Sequence, residues 1–99
     1  MKIPELTNSN ITAYLKLDDF KDLDKRERQL IEAIKEATFS YLVDMTGLTA
    51  EQVEEKDTLT IAYLSLIQDM YDNRALQIDK NNMNKTVETI IGMYDFTLI

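Results

Sequence analysis

The chain has 99 residues, which suits a single domain, and it carries neither cysteine nor histidine. That excludes a disulfide scaffold, a thiolate zinc site, a cysteine nucleophile and the commonest general base near neutral pH. A formal charge of −7, from 18 acidic against 11 basic residues, disfavours direct binding to a nucleic-acid backbone. Hydrophobic residues at 44% suit a folded domain, and two glycines with one proline leave few tight turns for a many-stranded β fold. The expected class is all-α: a small bundle of two long and two to three short helices.

In chain order, Thr7-Asn8-Ser9-Asn10 is rich in capping side chains, and Ile11, Tyr14 and Leu15 follow at helical spacing. A short helix is predicted to end near Leu17. An acidic connection over residues 18–24 comes next. Asp24, with Glu27 three residues on, resembles a capping box with aspartate in place of the usual hydroxyl. Leu30, Ile34, Ala37, Tyr41 and Met45 then recur in steps of three and four, which predicts a long helix over Lys25–Thr46 with Gly47 in its left-handed terminal position. Thr49 and Gln52 form a second capping box for a short helix around Val53 and Glu54. Asp57 or Thr58 is expected to cap another long helix reaching about Leu76. Residues 78–84 read as a polar loop, a last short helix carries Val87, Ile90, Ile91 and Tyr94, and residues 96–99 form a β-prone tail.

The helix opening near Thr58 is the most informative. At 100° per residue, Leu59, Ala62, Tyr63, Leu66, Ile67 and Met70 share one face, while Ile61, Leu64 and Tyr71 lie on another side. A helix apolar on two sides is either central to its own domain or also meets another subunit. Arg74 follows at the edge of the apolar stripe. It either reaches outward to solvent or pairs with a carboxylate.

No constellation supports catalysis, and no cofactor or metal is expected. The aspartates of residues 18–24 lack the central glycine and terminal glutamate of a calcium loop, so they read as a solvated loop. Glu54-Glu55 reads as an exposed helix end. Ser9, Ser40 and Ser65 have no histidine to activate them. No apolar run approaches the roughly 20 residues of a membrane span, and the expected setting is the cytosol, with no membrane partner.

Read in order, these segments resemble the small head-tail connector (adaptor) proteins of tailed bacteriophages and prophages. The resemblance rests on Tyr14-Leu15-Lys16-Leu17, the aspartate-rich residues 18–24, Leu30-Ile31-Glu32-Ala33 with Ala37, Thr46-Gly47-Leu48-Thr49, and the aliphatic residues 64–67 running into Tyr71-Asp72-Asn73-Arg74. It departs from the family near residues 84–94, where the family's proline and closing arginine are absent. The resemblance implies a non-enzymatic structural protein of virion assembly. It implies a homo-oligomeric ring, formed by the subunit alone or only on the portal, that joins the portal protein to a tail or stopper protein. DNA passes through that ring without specific binding. The protein would stand at the virion head-tail junction after a period in the host cytoplasm. Leu64, Tyr71, Asn73 and Arg74 are the residues expected to matter for fold or interface. The competing expectation is a small helical protein-binding regulatory or adaptor module; a carboxylate-dependent enzyme or accessory subunit and a DNA-binding protein are weaker alternatives.

Overall fold

The computed structural model describes residues 1–73 together with 89, 90 and 92. Four α-helices make up most of the described chain, α1 (Asn8–Tyr14), α2 (Lys25–Thr46), α3 (Ala50–Glu55) and α4 (Asp57–Asn73), with 3-10 turns at Ile3–Glu5 and Phe20–Asp22. No strand occurs among the described residues. The expected all-α bundle of two long helices and shorter ones is the architecture found.

The ends of the helices follow from a few side chains. Thr7 opens α1: its hydroxyl accepts from the Asn10 amide at 3.1 Å, and the Asn10 side chain accepts from the Thr7 amide at 2.9 Å. The helix stops at Tyr14, earlier than the expected Leu17, because Lys16 adopts a left-handed conformation with φ 61°. The Leu17 amide then donates back to the Thr12 carbonyl and the Lys16 amide to that of Ala13, at 2.9 and 3.1 Å. These two bonds are the Schellman closure, made here with lysine where glycine is usual. Asp24 caps α2 by accepting from the Glu27 amide at 2.8 Å. The reciprocal half of the expected box is not formed, because the Glu27 carboxylate turns toward α4 instead.

Gly47 closes α2 at φ 72°, as its position suggested, and the Thr49–Gln52 box opens α3 with both of its bonds made. α4 begins at Asp57 itself, so the expected Asp57 or Thr58 cap is displaced. Lys56 is the extended residue before the helix, and its carbonyl accepts from the Leu59 amide at 3.1 Å. The residues expected to carry this helix on to Leu76, the polar loop at 78–84 and the tail at 96–99 lie outside the described residues.

Packing is dominated by α2 against α4. Leu59, Ala62, Tyr63, Leu66, Ile67 and Met70, the face read from the sequence, are all buried. On α2 the deepest line is rotated by about one residue from the expected stripe: Ile31, Ile34, Thr38, Leu42 and Thr46 are buried, with Leu30, Ala37, Tyr41 and Met45 flanking them. Two threonines can hold this line because their hydroxyls are satisfied without water. Thr46 donates to the Leu42 carbonyl at 2.7 Å, and Thr38 to the Met70 sulfur at 3.5 Å. Val53, Ile11 and Ile3 close the cluster from α3, α1 and the first turn, and Ile90 of the expected last helix also joins it. Each fully buried leucine or isoleucine contributes about 1.5–3 kcal/mol of transfer free energy.

Candidate functional site

The antiparallel run of α4 against α2 places the end of α4 beside the start of α2. There the Tyr71 hydroxyl donates to Glu27 Oε2 at 2.6 Å, a bond between residues 44 apart in the chain. Tyr71 is thus a tie between the long helices as well as an apolar side chain packed on the core. Leu64, two turns earlier on the same face, is half-buried and also packs on the core cluster. Asn73 is exposed, and its side-chain amide donates to the Asp69 carbonyl of its own helix at 2.8 Å. Arg74 lies outside the described residues. Of the expected site residues, the fold brings Leu64 and Tyr71 onto one face, while Asn73 acts locally.

The two-sided apolar pattern of α4 therefore resolves largely into contacts within the chain. Ile61, at 57% exposure, is the large apolar side chain of α4 left mostly in solvent. Near the helix end, the Asp69 carboxyl is raised above its ordinary range, first by partial burial and then by the charge of Asp72.

A feature the sequence reading passed over lies on the outward side of α2. Glu32, Lys35, Glu36, Phe39 and Ser40 recur at spacings of three and four, so they share one face and, with Tyr63 of α4, line an open groove of about 440 Å³. That spacing was available in the sequence. α1 supports the upper end of the groove. Lys35 Nζ donates to Asn8 Oδ1 at 2.6 Å, the Asn8 amide donates to Glu32 Oε1 at 3.0 Å, and Lys35 stands 3.5 Å from the same Glu32 oxygen. Tyr63 is 4% exposed, and its hydroxyl has no hydrogen-bond partner among the described residues. Burial, with the Glu32 charge as a second cause, pushes its pKa up to about 12.

A second, smaller groove of about 360 Å³ lies between Phe20 and the first turns of α2, where Lys25, Arg28, Gln29 and Glu32 form its walls. The acidic residues 18–24 do not draw together around a cation. Ser9 donates to Asp19 at 2.8 Å, and Asp24 is occupied as a helix cap. Among the described residues, no group of three side chains of the metal-binding types converges. What the arrangement offers is binding geometry: an open groove with two carboxylates, one ammonium, an aromatic face and a deep tyrosine. Set against protein-family models, characterised proteins and solved structures, the chain matches none of them.

Proposed function

We propose that this chain is a structural subunit of a phage or prophage head-tail connector. In this reading it assembles into a ring that joins the portal protein to the tail or stopper and surrounds the DNA channel. The observation that supports the reading is where the motifs of the resemblance fall. Tyr14-Leu15-Lys16-Leu17 is the Schellman closure of α1, Thr46-Gly47-Leu48-Thr49 is the reversal between α2 and α3, and Tyr71 is the tie from α4 to α2. Each is a position that fixes how one helix meets the next, as expected of a motif set tied to a fold.

Two physical arguments agree with this reading. A closed ring needs a heterologous contact, in which one patch of the subunit meets a different patch of the next. A chain of net charge −7 offers DNA a repelling wall, which lets a polyanion slide rather than adhere. The work of such a subunit is self-association and docking, without chemistry.

The open groove along α2 is the one observation that favours the second reading, a small protein-binding regulatory or adaptor module. Light scattering of the chain alone and mixed with the portal of the same phage or prophage separates the two. A connector enters a large complex with portal. An adaptor module stays small and leaves the portal's size unchanged, and that outcome rejects the connector.

A further inference from the structure

The groove formed by α2 and Tyr63 carries an uncompensated charge. Of its three ionised side chains, Lys35 stands against Glu32, which leaves Glu36 over. Among the described residues Glu36 is in no ion pair, and it is exposed at the groove's edge. Beside it are the buried Tyr63, whose hydroxyl has no partner among the described residues, and the half-buried ring of Phe39. A carboxylate, a phenolic oxygen and an aromatic face together favour a planar, multiply donating cation. A guanidinium can stack on an aromatic face while its N–H groups donate to a carboxylate, which an ammonium does less well.

The chain presents such a group elsewhere on its own surface. Arg26, in the first turn of α2, is exposed and in no ion pair among the described residues. It also stands where a cation is least favoured, at the positive end of the helix dipole. From Arg26 to the groove at Glu36 and Phe39 is ten to thirteen residues along the same helix, about 15–20 Å. One copy cannot close this contact on itself, but two copies placed head to tail can.

We propose that the α2 groove is the docking site for Arg26 of a second copy of this chain, a heterologous contact in which Arg26 of one subunit meets Glu36, Phe39 and Tyr63 of the next. This rests on the reading of the chain as a self-associating subunit, and it names the two patches that the contact would use. Because each copy carries one patch of each kind, the contact propagates and can close into a ring.

Sedimentation of the full chain at low and at physiological salt tests it, using Arg26→Glu, Glu36→Arg and an equimolar mixture of the two. The wild type is expected to associate, more strongly at low salt. Each single variant is expected to lose association by about tenfold or more, and the doubly substituted chain carrying both changes to regain it. In the mixture, the intact Glu36 groove of the Arg26→Glu chain receives the intact Arg26 of the other, so association returns there too.

Each substitution changes the formal charge by two, so Arg26→Glu takes the chain from −7 to −9 and Glu36→Arg takes it to −5. Were net charge alone in control, the two variants would shift association in opposite directions, and that result overturns the proposal. Arg26→Glu also relieves the clash with the helix dipole, so its melting temperature should not fall, and a loss of association cannot be blamed on unfolding. A wild type that stays monomeric at millimolar concentration and low salt overturns the proposed contact while leaving the connector reading to its portal experiment. Unchanged association in both single variants overturns the contact but not self-association. Portal binding that depends on Glu36 while self-association does not assigns the groove to the portal, and again rejects the proposal.

Discussion

Removing the Tyr71 hydroxyl tests whether the end of α4 is held to the start of α2 in the way the geometry requires. Tyr71→Phe keeps the ring in the core cluster and removes the hydroxyl that bonds, at 2.6 Å, to the Glu27 carboxylate. A hydrogen bond to a charged group is worth about 1.5–3 kcal/mol when shielded. Here both residues are half-buried and water competes for the carboxylate, which lowers the expected coupling to about 1 kcal/mol.

Glu27→Ala alone would mix this loss with another, since an acid in the first turn of α2 also gains about 0.3–1 kcal/mol from the helix dipole. The double-mutant cycle of Tyr71→Phe with Glu27→Ala, which leaves no acceptor in place of the carboxylate, cancels that second contribution and leaves the pair. Urea unfolding of the four proteins measures it, and a loss of about 1 kcal/mol moves the midpoint by roughly 0.5–1 M for a chain of this size. A coupling below about 0.3 kcal/mol, the usual error of additivity, would refute the tie.

Two further substitutions probe the fold. Lys16→Gly removes a left-handed penalty of about 1–2 kcal/mol against about 0.5–1 kcal/mol of added unfolded-state entropy, so the melting temperature should hold or rise, by up to roughly 10 °C; a fall would contradict the Schellman assignment. Burial holds the folded-state pKa of Tyr63 above the ordinary tyrosine value, at about 12, so this residue's share of stability is complete below about pH 10 and is lost as pH rises through about 12. Tyr63→Phe should therefore flatten the alkaline fall in denaturant midpoint relative to wild type, and parallel curves for the two proteins would show that Tyr63 is not buried as described.

Much of the fold was legible because helices advertise themselves through period and caps. The bounds of α2 and the apolar part of the buried face of α4 follow from spacing, and Gly47 and the Thr49–Gln52 box from local chemistry, whereas the buried Thr60 was not foreseen. What was not legible depends on tertiary choice. A lysine in a left-handed position carries no mark that distinguishes it from any other lysine, so the early end of α1 was missed. The half-formed box at Asp24 follows from Glu27 having a better donor in Tyr71, 44 residues away. Threonine reads as polar at Thr38 and Thr46 until its hydroxyl finds a carbonyl or a sulfur, and that displaced the inner line of α2 by about one residue. The groove went unseen for a related reason. Its Glu32, Lys35 and Glu36 look like an ordinary solvated face until Asn8 and Tyr63 are folded against it. Leu64 and Tyr71 were read on a second side of α4 that could serve a neighbouring subunit; both are half-buried against the core of their own chain, and a role toward a neighbour belongs to the proposal.

The central claim is that these helices form a building block of a ring on the portal. Electron microscopy of the chain mixed with its own phage or prophage portal tests that claim most directly. The expected result is a closed ring of this subunit, coaxial with the portal and continuous with its channel. Bare portals beside free, unassembled subunits would contradict it.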